Sequence, residues 1–254
     1  MNPPDLSYHI PMNPEPGGAP GPIANSTAKR IAFFGGSFDP PHLGHIAVAL
    51  AAQQALNLNQ VLFAPVGLQP LKPTGSSASF EDRVAMTRLA IEAHPTFAIS
   101  LLDAPAPNIL GRGNSKPNYT RDTLIELKRS EPANTALHLL LGADSFRTIR
   151  HWHRASEIPF LADLIVASRP GEDLTDLSTF LPAGITLGKS STQPNQYLLF
   201  GPAGGQSLLT VLPDLNYDIS ATQLRKQVHG PSGGEPSLLD PAVLDYILSH
   251  HLYE

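Results

Sequence analysis

The chain has 254 residues, of which 15% are charged and 26 are proline. Its 17 basic and 22 acidic residues give a net charge of −5, so no global charge favours nucleic acid or an anionic membrane surface. The lack of cysteine excludes disulfides, thiolate metal sites and cysteine nucleophiles. No apolar run reaches the ~18 residues of a membrane span, and the first residues do not resemble a signal peptide. We expect a soluble, cytoplasmic, globular protein with neither a nucleic-acid nor a membrane partner.

Residues 1–28 alternate proline and glycine with small polar residues and have no apolar period. Such a composition cannot bury enough apolar surface to offset the entropy lost on ordering, so we interpret 1–28 as a disordered tail. A tail that docks on the folded body is the alternative. The folded domain is expected over 29–254.

From residue 30 onward, short β-branched and aromatic runs alternate with segments of helical apolar spacing. In chain order they predict strand 30–34, helix 42–57, strand 60–65, helix 80–94, strand 97–102, helix 120–130, strand 136–142, strand 163–168, strand 207–212, helix 219–229 and helix 241–251. The segments 103–118 and 171–206 are interpreted as long loops. This alternation predicts a single-domain α/β fold with a Rossmann-like, doubly wound parallel sheet. Such sheets bind ligands at the carboxyl ends of their strands.

The segment 35–45, between the first strand and the first helix, reads Gly-Gly-Ser-Phe-Asp-Pro-Pro-His-Leu-Gly-His. It is neither a P-loop nor the G-x-G-x-x-G pattern. Its glycines let a bound group approach, and Gly44 removes a side chain that would hold a phosphate away. His42 and His45 share a face of the first helical turn, whose free N–H groups suit an anion. The pattern predicts a phosphate site; metal ligation and ordinary surface histidines are the alternatives.

A second segment of this character begins the helix predicted over 219–229. Ser220 suits the N-cap, and Thr222 and Arg225 are three residues apart on one helical face. Alone, they describe an ordinary capped helix with a solvated arginine. Together with 35–45, they predict a second anion-binding helix start.

The two segments together resemble the paired signature of the HxGH nucleotidyltransferase superfamily, whose members have a Rossmann-like fold. Further matches, in the same order along the chain, resemble the nicotinate (nicotinamide) mononucleotide adenylyltransferase family. They are Glu81-x-Arg83, Asn118-Tyr119-Thr120, Leu141-Gly142-Ala143-Asp144-Ser145, Trp152, the run 162–171 and the run 238–253.

This resemblance implies transfer of AMP from ATP to nicotinate mononucleotide, giving deamido-NAD and pyrophosphate in NAD biosynthesis, with Mg²⁺ arriving on the triphosphate. It implies that His45 stabilises the transition state at the α-phosphate, with His42 and Arg225 as further catalytic residues. The residues implied to bind ATP are Gly35, Gly36, Ser37, Phe38, Gly44, Gly142, Asp144, Ser220 and Thr222. Those implied to bind the acceptor are Trp152, Tyr119, Thr120, Lys72 and Arg169.

Several assignments keep an alternative. Asp144 also suits a helix cap, Trp152 a core position, and Lys72 and Arg169 solvated surface charge.

The chain also departs from the family pattern. Gln-Pro-Leu-Lys stands at 69–72 where members often carry Pro-Pro-His-Lys, Asn118 replaces a usual serine, and the loops before it and over 171–206 are enlarged. Nicotinamide mononucleotide is therefore the alternative acceptor, and a non-catalytic ATP-binding sensor the alternative of another class. The oligomeric state, a homo-oligomer included, stays open.

Overall fold

A computed structural model of the chain describes residues 28–70, 75–105, 117–168, 176–189, 194–202, 204–212, 220–228 and 238–254. The tail predicted over 1–28 therefore lies almost wholly outside the described residues. Lys72 and Arg169 also lie outside the described residues.

The described residues form one sheet of eight strands in the order β3-β2-β1-β4-β5-β8-β7-β6. The strands are β1 (Arg30–Gly36), β2 (Gln60–Pro65), β3 (Phe97–Ile99), β4 (Ala136–Gly142), β5 (Asp163–Ala167), β6 (Thr186–Lys189), β7 (Gln196–Phe200) and β8 (Gln206–Leu212). The six strands from β3 to β8 in this order pair in parallel, whereas β7 pairs antiparallel with both β8 and β6. The predicted parallel sheet is confirmed for those six strands.

Helices cover both faces of the sheet. They are α1 (Leu43–Leu56), α2 (Phe80–Ile91), α3 (Thr120–Ser130), α4 (Ala143–Thr148), α5 (Ala221–Val228) and α6 (Pro241–Ser249), with short 3₁₀ helices at Ile149–His151, Ala155–Phe160 and Leu177–Phe180. Alternate residues of β1 enter different cores, since Ala32 and Phe34 pack on the α1, α2 and α6 side and Ile31 and Phe33 on the α3 and α4 side. Burial on both faces explains why the strand is apolar throughout.

The interpretation of 171–206 as one long loop is wrong. Its described part contains a 3₁₀ helix and the antiparallel strands β6 and β7. Strand β6 lacks an apolar pattern and includes Gly188, where an added Cβ would lie 2.8 Å from the ring of Phe200 on β7. A larger residue at position 188 would crowd Phe200, so the glycine that obscured the strand in the sequence favours its pairing with β7.

The strand predicted over 97–102 is shorter than expected. It ends at Ile99, because the chain turns at Leu101, whose carbonyl accepts from the Ala104 N–H at 3.0 Å. Leu101 and Leu102 are exposed although the run is apolar.

The strand order reverses direction between β1 and β4, which are neighbours in the sheet although the chain passes through β2 and β3 between them. At such a switch point the connections after the two strands diverge to opposite faces and leave a crevice at the carboxyl ends. The fold therefore positions a ligand site beyond Gly36 and Gly142.

Candidate active site

A cleft of about 1180 Å³ opens at this switch point. It is lined by every predicted site residue that the structure describes, from both halves of the chain. These are Gly35, Gly36, Ser37, Phe38, His42, Gly44, His45, Tyr119, Thr120, Gly142, Asp144, Trp152, Ser220, Thr222 and Arg225. The fold thus brings the two predicted anion-binding segments and the predicted acceptor residues to one cavity.

His42 and His45 stack against each other at the start of α1. Their ring centroids are 3.7 Å apart at an interplanar angle of 29°, and the His42 backbone N–H donates to Nδ1 of His45 at 3.2 Å. Because Nδ1 accepts this hydrogen bond, a neutral His45 carries its proton on Nε2. His42 is 5% exposed, which excludes an ordinary surface histidine there. The stacking and this hydrogen bond therefore fix the orientation of the His45 ring, and both histidines line the cleft.

Phe38 packs beneath the loop of residues 37–42 between β1 and α1, which we call the phosphate loop after the phosphate site predicted for it from the sequence. This side chain is buried, and its ring lies 5.0 Å from that of His45 in an edge-on arrangement. A Cβ at Gly36 would lie 3.1 Å from the Phe38 ring, so the glycine makes room for it. Phe38 has a φ of 47°, in the left-handed region that β-carbon-bearing residues rarely adopt.

Arg83, near the start of α2, anchors the same loop. Its guanidinium donates to the carbonyl oxygens of Ser37 at 2.6 Å and Val66 at 2.9 Å. Burial lowers the pKa of Arg83, and the nearby Asp39 carboxylate counteracts part of that effect. The sequence interpretation did not assign Arg83 a role. Its position one turn before Met86 and Thr87, on the buried face of the helix, is the signal that was available.

The second predicted segment approaches the phosphate loop from α5. Ser220 caps the helix, because its hydroxyl accepts from the Gln223 N–H at 3.2 Å and its own N–H donates to the Gln223 side chain at 3.3 Å. Arg225 donates to the Asp39 carbonyl at 2.6 Å and to the Thr222 hydroxyl at 3.3 Å. The alternative of a freely solvated arginine is therefore wrong, since Arg225 is fixed beside the loop.

Gly142 ends β4 and is the N-cap residue of α4. Asp144 lies in the first turn of α4, is exposed and lines the cleft. Since Gly142 occupies the N-cap position, the alternative assignment of Asp144 as the N-cap is not supported.

Aromatic side chains form the other end of the cleft. Trp152 is half-buried, and its indole N–H lies 3.4 Å from the Thr148 hydroxyl. The Tyr119 ring lies against His153 with centroids 4.4 Å apart. Tyr119 is also the N-cap residue of α3, so that Thr120 begins the helix. The first N–H groups of α3 therefore lie at this end of the cleft.

Asn118 holds the loops around these aromatic residues together. Its side-chain oxygen accepts from the Leu68 N–H at 3.1 Å, and its amide donates to the Ala104 carbonyl at 3.1 Å. Its own N–H donates to the Leu68 carbonyl at 3.2 Å. The residue that departs from the family pattern thus connects three segments of the site.

Asp103 is a site residue that the sequence interpretation missed. It is 5% exposed, lines the cleft, and accepts a hydrogen bond from the Thr123 hydroxyl. Burial raises the pKa of its carboxyl group, and the Thr123 hydrogen bond counteracts part of the rise. Its position just after a predicted strand, at the carboxyl edge of the sheet, was the available signal.

No group of three or more His, Asp or Glu side chains within the described ranges is arranged to hold a metal ion. In the same ranges, none of the helices has the length and apolar character needed to cross a bilayer.

Residues 33–227 match the family described as cytidylyltransferase-like. A probable nicotinate-nucleotide adenylyltransferase of Gloeobacter violaceus is 34% identical over 226 residues, which cover 89% of this chain and 97% of that protein. One from Laribacter hongkongensis is 35% identical, covering 88% of this chain and 94% of that protein.

Solved structures agree on the fold. Plasmodium falciparum nicotinic acid mononucleotide adenylyltransferase complexed with NaAD matches with a TM-score of 0.62 at 18% identity, covering 89% of this chain and 97% of that chain. The predicted resemblance and the Rossmann-like fold are confirmed. The chain belongs to the cytidylyltransferase-like family and, within it, to the nicotinate-nucleotide adenylyltransferases.

Proposed function

We propose that this protein transfers the adenylyl group of Mg–ATP to nicotinate mononucleotide. An oxygen of the mononucleotide's phosphate forms a bond to the α-phosphorus of ATP, and the bond from that phosphorus to the bridging oxygen of the β-phosphate breaks. The products are deamido-NAD and pyrophosphate. Both reactants are polyanions, so catalysis depends on positioning and charge stabilisation rather than on a protein nucleophile.

The observation that carries the proposal is the shared cleft. Its two helix starts with His45 and Arg225 suit a triphosphate, and its aromatic end with Trp152 suits a pyridine ring. Its volume of about 1180 Å³ exceeds the roughly 300–1,000 Å³ of a site for one small ligand. Two nucleotides bound end to end need such a space.

On the ATP side, the Nε2–H of His45 donates to the α-phosphate as negative charge develops there, and His42 assists beside it. Arg225, Ser220 and Thr222 hold the β- and γ-phosphates and the departing pyrophosphate. A guanidinium has five N–H donors, more than the contacts of Arg225 to Asp39 and Thr222 use. The backbone of 35–38 and Gly44 leaves room for the phosphates, while Gly142 and Asp144 bind the nucleoside part.

On the acceptor side, the pyridine ring stacks on Trp152 and its substituent meets Tyr119 and Thr120. The positive end of the α3 dipole and its first N–H groups favour a carboxylate over a neutral amide. This supports the acid, nicotinate mononucleotide, over the amide. Asn118 stands where family members usually have serine, but its side chain is hydrogen-bonded to Leu68 and Ala104. The presence of asparagine therefore does not by itself favour the amide acceptor.

The Mg²⁺ ion enters as part of the substrate. Mg²⁺ usually keeps several waters and takes few protein ligands when it is bound to phosphates. Lys72 and Arg169 remain proposed ligands of the acceptor phosphate.

Pyrophosphate release from Mg–ATP, measured with each mononucleotide in turn, tests the proposal. We expect the acid to be preferred by at least ~10²-fold in kcat/KM, about 2.7 kcal/mol of discrimination. Comparable rates with the two mononucleotides would show an acceptor pocket that does not discriminate between acid and amide, and a preference for the amide would support the enzyme that makes NAD directly. ATP binding without pyrophosphate release would support a non-catalytic sensor.

A further inference from the structure

The carboxylate of Asp39, in the phosphate loop, is almost completely enclosed. The residue is 5% exposed. Its carboxylate oxygens accept from the backbone N–H groups of Ser77 at 2.6 Å and Ala78 at 3.1 Å, and from the Tyr253 hydroxyl at 2.9 Å. Three segments that are distant in the sequence therefore meet at one carboxylate.

The same residue fixes Arg225. The Asp39 carbonyl accepts from Nη1 of Arg225 at 2.6 Å, and one carboxylate oxygen lies 3.9 Å from that nitrogen. Displacement of Asp39 would therefore displace the guanidinium that faces the triphosphate in the proposed function.

A buried carboxylate beside a site for a polyanion needs donors that offset its charge. Tyr253 supplies one of them. Burial raises the pKa of the Tyr253 hydroxyl, and the adjacent Asp39 raises it further. The hydroxyl therefore remains protonated throughout the neutral range and donates a hydrogen bond to the carboxylate.

The backbone around Tyr253 has an unusual conformation, which places this hydroxyl beside Asp39. After α6, His251 and Tyr253 adopt φ values of 51° and 68°, and the Leu252 N–H donates to the Ile247 carbonyl at 3.0 Å. Left-handed conformations at residues other than glycine are unfavourable and persist when surrounding contacts impose them. The hydroxyl–carboxylate hydrogen bond is one such contact.

We propose that Tyr253 is a positioning residue for the triphosphate of ATP, which acts through Asp39 on Arg225. Tyr253 does not line the cleft, so its effect on ATP is indirect. This inference rests on the proposed function for the assignment of the phosphate ligands.

The test compares Tyr253→Phe with Tyr246→Phe. The Tyr246 hydroxyl also donates to a carboxylate, that of Asp82 at 3.0 Å, but neither residue lines the cleft or contacts the phosphate loop by a hydrogen bond that the structure records. Calorimetric titrations with α,β-methylene-ATP and with AMP measure binding without turnover. We expect Tyr253→Phe to weaken binding of the ATP analogue about tenfold, the loss expected for one hydrogen bond to a charged group, and to leave AMP binding unchanged. Tyr246→Phe should change neither.

A double-mutant cycle separates positioning from a general loosening of the fold. In an Arg225→Ala background, Tyr253→Phe should weaken binding of the analogue no further, because its effect passes through the missing guanidinium. Equal weakening of AMP and the analogue, an equal effect of Tyr246→Phe, full additivity with Arg225→Ala, or wild-type affinity in Tyr253→Phe would each overturn the inference. If the wild type binds the analogue but releases no pyrophosphate with either mononucleotide, the proposed function fails while the Tyr253 result stands.

Discussion

The guanidinium of Arg83 and the carbonyl oxygen of Ser37 are joined by a hydrogen bond of 2.6 Å that connects the start of α2 to the phosphate loop. Arg83 is 2% exposed, and a charged group that is so deeply buried costs free energy unless it is paired and hydrogen-bonded. Its contacts hold the loop in shape before any ligand arrives. Donors that are oriented in advance need no rearrangement when charge develops in the transition state, which is the main source of electrostatic catalysis.

The first prediction concerns His45. We expect His45→Asn to lower kcat by at least ~10²-fold, because the variant loses the Nε2–H donor to the α-phosphate. The asparagine oxygen can still accept from the His42 N–H, so the helix start and the melting temperature should be retained. Steady-state pyrophosphate release and thermal unfolding measure the two effects. His94→Ala is the control, because His94 lies outside the cleft and its replacement should leave turnover unchanged. Near-wild-type turnover in His45→Asn would contradict the assignment of His45.

The second prediction concerns Trp152. Because stacking on an aromatic side chain contributes about 1–3 kcal/mol per base, Trp152→Ala should raise KM for the mononucleotide roughly 5- to 150-fold and leave KM for ATP unchanged. Trp152→Phe should restore part of the loss. Phe160→Ala removes another half-buried aromatic side chain of the same core, away from the cleft. Phe160→Ala should not raise KM for the mononucleotide selectively. If Trp152→Ala, like Phe160→Ala, changed KM for the mononucleotide and KM for ATP to the same extent, Trp152 would be a core residue only.

The third prediction concerns pH and His138, on β4. The residue is 7% exposed, and neither ring nitrogen has a hydrogen-bond partner among the described residues. Burial lowers the pKa of His138 below its ordinary 6.5; the Asp163 carboxylate opposes this shift and Arg30 adds to it. The folded state therefore binds fewer protons than the unfolded state just below pH 6.5. Its free energy of unfolding should fall as pH decreases from 6.5, by up to about 1.4 kcal/mol per unit of lowered pKa.

Urea unfolding of the wild type and of His138→Leu, at pH 7.5 and 5.5, measures this effect. The leucine variant should lose less stability between the two values, because it has no imidazole to protonate. The buried Asp103, whose raised pKa acts in the opposite direction, is the same in both proteins. Parallel pH profiles would show that His138 does not titrate on unfolding.

The fourth prediction concerns the tail. Deletion of residues 1–28 should leave kcat and both KM values unchanged, since no apolar pattern in this segment favours docking. Side-by-side assays of the full chain and the shortened chain measure the difference. A large loss of activity in the shortened chain would show that the tail contributes to the site.

The sequence predicted those parts of the fold that local patterns encode. The strand over 136–142 is apolar at nearly every position, and helix 120–130 has a single apolar face, so both were found with their observed bounds. Strand β6 was missed because its four residues include Gly188 and show no apolar pattern, and the contact that explains the glycine is with Phe200 of another strand. The histidines and Arg225 were found by motif, whereas local position shows only that Arg83 lies on a buried helix face and that Asp103 follows a strand; their partners Ser37 and Thr123 are set by long-range contacts.

The phosphate loop is completed by partners that lie far along the chain, since Arg225 and Tyr253 contact Asp39 across 186 and 214 residues. At a translation rate of roughly 5–20 residues per second, Arg225 and Tyr253 are added to the chain about 10 to 40 seconds after the loop itself. An unfinished chain can therefore form the first strands of the sheet while the loop still lacks its guanidinium and its tyrosine. We expect a nascent chain that does not yet contain Arg225 and Tyr253 to bind ATP more weakly than a chain that contains both.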